Sequence, residues 1–416
     1  MNKKGALGAV FLVVLVDLLG FGIVLPLLPY TASRFDATPL TVGLLYSIYS
    51  LSQLVCSPLW GNWSDKIGRR PIMLVSTAGA AGSYLLFAFS HSLPMLFASR
   101  LFAGVMGGNI SAAQAYVADV TEPAERAKGM GLIGAAFGIG FALGPALSGF
   151  LLLPFVQQTL IRILPAQASQ FVAENPYSLP GLAAALLSLC SFLMVAWMLP
   201  ESRGLGGVRE DAARIKKASV FSGEFWTSVL AKNTGALGML YLCLLILMIG
   251  HSSLYSSFPL FCKQVLGLDA HAVGMQFLLL GIVTVFVQGG MIRPLVDRFG
   301  EKKLLVAGNI LTALGLFLIP SARSAGSLTA YLCLIGVGAS LNGPTLTSLV
   351  SKEALPEHVG LAMGNSQAVS AMGRVIGPAL GGYLFGLKPQ APFLLMTLFL
   401  VGAAGIACTL KGRLNS

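Results

Sequence analysis

GNWSDKIGRRPIML, from Gly61 to Leu74, is a short polar turn set between two long apolar runs. A second copy, RPLVDRFGEKKLLV from Arg293 to Val306, lies 232 residues further on. Asp65 aligns with Asp297, and Gly68 with Gly300. Two other motifs recur at almost the same interval. Gly144-Pro145-Ala146-Leu147 matches Gly377-Pro378-Ala379-Leu380, and Pro26 matches Pro259. A constant interval across three motifs marks an internal duplication. Two such halves in a bilayer are related by an axis along the membrane normal, with a substrate site expected between them.

The apolar runs have the length of bilayer spans. A spanning helix needs about 20 apolar residues. Segments of that kind run near 7–29, 40–60, 72–90, 93–118, 129–153, 179–199, 234–261, 272–292, 303–320, 326–350, 360–386 and 391–410. The expected fold is therefore an all-α membrane protein, with twelve transmembrane helices in two pseudo-symmetric six-helix bundles. Composition agrees, because 55% of the 416 residues are hydrophobic and only 10% are charged, against about 25% charged in soluble domains.

The net charge of +11 would suggest nucleic acid in a soluble protein. Here its distribution reads as orientation. With the N-terminus inside, 20 of the 27 Lys and Arg fall in cytoplasmic segments and 5 outside, leaving Arg100 and Arg374 within spans. That asymmetry supports both the helix count and cytoplasmic termini. The charged stretch 200–233 reads as a cytoplasmic linker between an N-terminal bundle, 1–199, and a C-terminal bundle, 234–416. The outer segment 154–180 contains VQQTLIRIL, which suits the membrane surface. The basic N-terminus before an apolar run superficially resembles a signal peptide. The run is long enough to span and lacks an A-x-A site, so it reads as a retained first span.

Chemistry is concentrated in a few residues. Asp17 is a carboxylate in the middle of the first apolar run, and Arg100 lies at a similar depth in the fourth. Charges at the bilayer centre are costly and mark polar cavities and ion pathways. Desolvation raises a buried carboxyl's pKa and a nearby arginine lowers it. A group poised between the two can change protonation as a cavity switches sides. The competing reading is structural: a hydrogen-bonded Asp17 and an arginine held by backbone carbonyls. Gly104, Gly107, Gly108, Ala112 and Ala113 follow Arg100 and permit close helix approach. In the signature turn, Gly61 and Gly68 suit a tight reversal. Asp65 is placed to accept from helix N-terminal amides and arginine, while Arg69 and Arg70 are placed to pair with carboxylates of neighbouring helices.

These motifs resemble the major facilitator superfamily. The turn from Gly61 to Arg70 is similar to its signature loop, which implies a conformational latch of Gly61, Asp65, Gly68, Arg69 and Arg70, with Asp297 and Gly300 in the copy. The fourth span resembles that superfamily's arginine motif. The fifth, GAAFGIGFALGPALSG with Gly140, Gly144, Pro145 and Gly149, resembles the antiporter motif. The first span, DLLGFGIVLPLLP from Asp17, resembles twelve-helix drug:proton antiporters, including tetracycline efflux proteins. The resemblance implies that Asp17 and Arg100 couple protons to transport. Two departures count against tetracycline as substrate: the ninth span has no acid, and the eighth offers Thr284 and Gln288 but no histidine.

The expected cavity is apolar and aromatic with a few amides. Its candidate residues are Tyr46, Tyr49, Gln53, Asn109, Gln114, Tyr241, Tyr255, Gln288, Asn342, Asn365, Gln367 and Arg374. Arg374 reads equally as a substrate contact or a structural charge. His251 reads first as a packing residue. The expected function is proton-coupled antiport of small lipophilic molecules or drugs, multidrug-resistance-type efflux from the cytoplasm, driven by a proton gradient with no cofactor. The competing functions are a sugar or metabolite facilitator or symporter, and a non-transporting membrane receptor or scaffold. No nucleophile elbow, zincin or phosphate-binding motif is present, so no enzyme is expected. The six cysteines show no metal spacing and read as packing residues. The expected partners are a small-molecule substrate, protons and the lipid bilayer, with no nucleic acid and no metal. The expected form is a monomer, multi-pass in the inner (cytoplasmic) membrane.

Overall fold

The computed structural model describes residues 3–107, 109–121, 126–202, 235–354 and 359–410. Among the described residues, every regular element is helical, and each of the twelve expected segments falls on helix. The first span runs Lys3–Val24 and continues through short 3-10 turns at Leu25–Leu27 and Ser33–Phe35. Pro26 and Pro29 tighten this end, because each lacks the amide hydrogen that an α-helix needs. The second and third are Pro39–Ile67 and Arg69–Ala88. The fourth is described as Leu93–Met106 and Asn109–Val120, the fifth as Arg126–Leu151 and the sixth as Ser178–Met198. The second half follows with Ala236–Gln264, Ala270–Phe286 continuing to Phe299, Glu301–Leu318, Ala325–Glu353, Val359–Leu387 and Ala391–Thr409.

Nine described helices are long and apolar enough to cross a membrane. A tenth is added if Ala142–Leu151 and Pro154–Ile163, bent by 65° at their junction, count as one span. Pro154–Ile163 carries the VQQTLIRIL stretch and is followed by Ala166–Glu174. Span entry is set by local chemistry. Thr38 caps the second helix through the Thr41 amide at 3.2 Å, and Ser324 forms a reciprocal capping box with Ser327 at the tenth.

The chain divides into two compact units. The first holds Met1–Gly207 with Phe258–Gly281; the second holds Val208–Ser257 with Ile282–Ser416. In the first, Val10, Val13, Val14 and Leu18 of the first span pack with Ile72, Met73, Ala112, Tyr116, Ala136 and Val195. Trp60 closes this core and donates its indole N–H to the Val105 carbonyl. In the second, the ninth span crosses the tenth closely. A Cβ on Gly308 would lie 2.8 Å from the Gly338 carbonyl oxygen, and Thr397 of the twelfth span donates to the Ala313 carbonyl at 3.3 Å.

Most of the linker expected at 200–233 lies outside the described residues.

Candidate functional site

Asp17 and Arg100 sit in one polar neighbourhood of the first unit. Asp17 is half-buried and lines a cavity with Phe21, Tyr49, Tyr84, Met106 and Gly107. Its volume of about 20 Å³ is room for about one water molecule and no organic substrate. Arg100 is only 2% exposed. Its guanidinium carbon stands 5.0 Å from the centre of the Phe87 ring and 5.9 Å from that of Tyr84. Its Nε lies 3.4 Å from the Ser99 hydroxyl, and its Nη2 has no hydrogen-bond partner among the described residues. Tyr84 lines the cavity of Asp17 and its ring centre stands 5.9 Å from the Arg100 guanidinium carbon, so it is common to both surroundings. Nothing in the sequence distinguished it, since it is one aromatic residue within an apolar span.

Glycine brings the surrounding helices together. A Cβ on Gly104 would lie 2.8 Å from the Ser52 Cβ, so the fourth span touches the second almost backbone to backbone. The fifth span does the same to the first. A Cβ on Gly140 would meet the Leu18 Cβ at 2.6 Å, and one on Gly144 would meet the Gly22 Cα at 2.6 Å. Its far end packs on the eighth span. A Cβ on Gly149 would approach the His271 carbonyl oxygen at 3.0 Å, and the His271 Nδ1 lies 2.8 Å from the Gly149 carbonyl. Pro145 lies within this helix and takes part in both contacts: its Cδ faces Gly22 and its carbonyl faces Gly274. The motif thus holds the segment bearing Asp17 on one face and the eighth span on the other.

The signature turn is a knot of charges. Gly68 ends the second helix at φ 107° and ψ 160°, a conformation almost confined to glycine. Gly61 is not part of the turn. It lies inside the second helix with nothing within 4 Å of an added Cβ, which corrects its expected role. Arg69 donates from Nε to Asp119 at 3.0 Å, from Nη1 to the Ser64 hydroxyl at 2.8 Å, and to Asp65. Arg70 departs from expectation. Its Nη2 donates to the Ala196 carbonyl at 2.6 Å, where a carboxylate was expected. The amides of Arg69 and Arg70 are capped by Glu201, at 2.9 and 3.1 Å, and not by Asp65. Ser202 closes the knot by donating to Asp119 at 3.0 Å. Asp119, Glu201 and Ser202 escape sequence reading because each is an ordinary polar residue at a span end.

The second copy keeps the plan with opposite charges. Glu301 takes the place of Arg69 and accepts from Lys352 at 2.8 Å, and also from Ser348. Gly300 turns at φ 78° with nothing near an added Cβ. Asp297 is exposed and lines a cavity of about 220 Å³ with Arg293, Glu301 and Pro344.

The remaining candidates are scattered. Tyr46 is buried and donates to the Leu25 carbonyl. Tyr49 stacks 4.8 Å from Phe21, and Gln53 Nε2 lies 3.4 Å from the Gly107 carbonyl oxygen. Tyr241 is buried beside Asn365 and donates to the Ala362 carbonyl at 3.1 Å. Asn342 is buried against Gly308. Gln114, Gln288 and Gln367 are exposed, and Gln288 sits on a π-helical turn, Val287–Met291. Tyr255, His251 and Arg374 are half-buried in the second unit. The Asn109 side chain and Gly108 lie outside the described residues.

Residues 10–293 and 240–413 match the Major Facilitator Superfamily. The chain is 29% identical to the class D tetracycline resistance protein of Salmonella ordonez over 412 residues, 97% of this chain and 94% of that one. It is 27% identical to multidrug resistance protein 2 of Bacillus subtilis (strain 168), again covering 97% and 94%. Among solved structures it is similar to the human organic anion transporter MFSD10 (TETRAN). That match has a TM-score of 0.68 and 26% identity, over 98% of this chain and 100% of the other. A bacterial Spinster homologue in an inward-facing, occupied conformation superposes with a TM-score of 0.76 at 13% identity, which speaks for the fold alone.

Proposed function

The chain belongs to the Major Facilitator Superfamily, and from that premise we propose that it is a proton-coupled antiporter exporting small lipophilic molecules across the cytoplasmic membrane. It is a multi-pass membrane transporter and not an enzyme. In this reading two six-helix halves, 1–199 and 234–416, joined by 200–233, work as a monomer by alternating access, with both termini cytoplasmic. The 20-to-5 distribution of basic residues supports that orientation.

One observation carries the coupling. Asp17 is the sole carboxylate within the twelve apolar segments read from the sequence, and it borders a one-water cavity beside Tyr84, whose ring lies against the Arg100 guanidinium. That cavity has room for about one water beside the carboxyl and none for substrate. Deprotonated Asp17 favours the state that loads from the cytoplasm. Protonation from outside cancels its charge, which favours release. The fifth span sits glycine to glycine on the first at Gly22, five residues from Asp17. It is therefore placed to pass the acid's state to helix packing. The relatives named for tetracycline and multidrug resistance and for organic anion transport support a small organic cargo.

The test is proton flux in inverted vesicles, wild type beside Asp17→Asn. Drug-dependent proton release from the lumen, lost in the variant, is the expected outcome. Undiminished coupled flux in Asp17→Asn would remove the acid from the mechanism.

A further inference from the structure

The geometry points to a clasp at the outer end of the first unit, in which His271 and Tyr30 hold the closed-outside state, and to its release as the step that opens the protein outward. This rests on the export reading above, which supplies the outward side and the alternating access, and it adds two positioning residues to that cycle.

The His271 bond follows from the chain. The fifth span ends at Leu151, and Pro154 opens the next helix. Proline has no amide hydrogen to offer the Phe150 carbonyl four residues back. The Leu153 amide serves Phe150 instead, at 3.1 Å, and the Gly149 carbonyl takes the Leu152 amide, at 3.2 Å. A carbonyl oxygen has two lone pairs, and His271 Nδ1 meets the second at 2.8 Å. Because a carbonyl only accepts, Nδ1 is the nitrogen that carries the proton. His271 thus caps the end of a helix 122 residues away in the chain.

The seam beneath that bond is flat. A Cβ on Gly274 would lie 2.7 Å from the Pro145 carbonyl oxygen and 2.8 Å from the Gly149 Cα, and one on Gly281 would run into Ala142. Small residues let these backbones touch while offering few side chains to interlock. Polar links at the rim therefore decide how firmly the seam closes.

A second link joins the same segment to the first span. Tyr30 donates its hydroxyl to the Leu268 carbonyl at 2.7 Å, across 238 residues. Lys263 Nζ stands 5.3 Å from the centre of the Tyr30 ring, within cation–π range. The Leu268 amide in turn closes onto the Cys262 carbonyl at 2.8 Å. Phe258–Gly281 comes from the second half of the duplication, yet it packs in the first compact unit. Each of the two links is a single hydrogen bond, worth about two- to tenfold in an equilibrium. That is a hold a transport cycle can make and break.

Cys262 is 0% exposed and serves as the reporter of opening. The full chain, with its other five cysteines replaced by alanine, is placed in right-side-out vesicles, and a membrane-impermeant sulfonated maleimide is added outside. Labelling of Cys262 then proceeds at a rate set by the open fraction. His271→Ala and Tyr30→Phe should each speed it by about two- to tenfold, and together by about the product of the two. His271→Asn, whose amide nitrogen takes the place of Nδ1, should stay within about twofold of the parent. Ser169→Ala removes an outer hydrogen bond to the Ile161 carbonyl that is no part of the clasp, and should leave the rate unchanged. A Cys262 that stays unlabelled in every chain, parent rates in His271→Ala and Tyr30→Phe, or an equal rise in Ser169→Ala would each overturn the proposal. Labelling needs neither cargo nor a proton gradient, so a failure of drug-dependent proton flux would strike the export reading alone.

Discussion

Replacing Gly68 by alanine should cost more stability than replacing its repeat partner Gly300, and Glu201 should account for the difference. Both glycines occupy the same backbone region, at φ 107°, ψ 160° and φ 78°, ψ 156°. Forcing alanine into it costs about 1–3 kcal/mol at either site. Their surroundings differ. An added Cβ at Gly300 meets nothing within 4 Å, whereas at Gly68 it would lie 2.4 Å from Glu201 Oε2 and 2.7 Å from its Cδ. The obstacle is the end of a flexible side chain, so Glu201 swings away and the backbone stays. It then surrenders three amide hydrogen bonds, from Arg69, Arg70 and Ser202. Two of those amides are among the four at a helix start that have no intrahelical partner. Losing such a cap costs about 0.5–2 kcal/mol. Equilibrium unfolding in mixed micelles should therefore place Gly68→Ala below Gly300→Ala by that amount. Glu201→Ala alone should cost a similar amount. The double variant Gly68→Ala/Glu201→Ala should be hardly worse than Gly68→Ala, a coupling of about 0.5–2 kcal/mol. Equal losses at the two glycines, or strict additivity in the cycle, would refute the reasoning.

Four further outcomes follow from the local contacts. Gly144→Ala should lower the thermal midpoint by overpacking worth about 1–3 kcal/mol, because its Cβ would meet the Gly22 backbone at 2.6 Å. Gly61→Ala, mid-helix with open space around it, should instead gain about 0.5–1 kcal/mol. Matching thermal scans for the two would contradict this. Arg69→Glu and Asp119→Lys should each destabilise, and the double swap should recover part of the loss, with a coupling of about 0.5–3 kcal/mol in mixed-micelle unfolding. The buried amide of Asn309 is 0% exposed and has no partner among the described residues. Asn309→Leu should therefore be neutral or gain about 1–3 kcal/mol, and a clear loss in the same assay would mean that the amide is satisfied.

The span plan was legible because bilayer thickness dictates apolar length. The expected 303–320 and 391–410 differ from the helices Glu301–Leu318 and Ala391–Thr409 by at most two residues at either end. Where the reading fell short, it missed polar helix. The second segment was expected to end near 60 and the eighth near 292. Their helices run on to Ile67 and Phe299, stopping where Gly68 and Gly300 take positive φ. Apolarity reports the membrane, and glycine reports the helix end. The same distinction explains Gly61, whose spacing from Gly68 imitates a turn although its backbone is helical. Asp17, Arg100 and the fifth-span glycines stand out in sequence because charge and repeated glycine are rare in apolar runs. Tyr84, Asp119 and Glu201 do not, since what makes each of them matter is a contact with another segment of the chain.

The duplication preserves an interaction and exchanges the residues that make it. At an offset of 232–233 the pair Arg69–Asp119 becomes Glu301–Lys352, with both signs reversed. Aligned singly, each position looks like a lost match, which is why the second signature turn reads as a weaker copy. As pairs, both join the start of a third-position helix to the end of a fourth-position one, the same mechanical link within each unit. Reversal leaves the direct attraction intact, because Coulomb energy depends on the product of the charges. The interaction of each charge with its helix changes sign, however. Glu301 sits in the first turn of its helix and Lys352 in the last turn of its own, which is the favourable arrangement for the helix dipole. Arg69 opens its helix and Asp119 lies in the last turn of the fourth span, so both oppose the dipole. The first unit compensates with Glu201 on the amides of Arg69 and Arg70. The second carries its stabilising charges in the pair itself. The first-unit link thus depends on an acid three residues beyond the end of the sixth span, and among the described residues the second-unit link does not. A conformational change that withdraws the end of the sixth span will loosen the first turn and leave its copy closed.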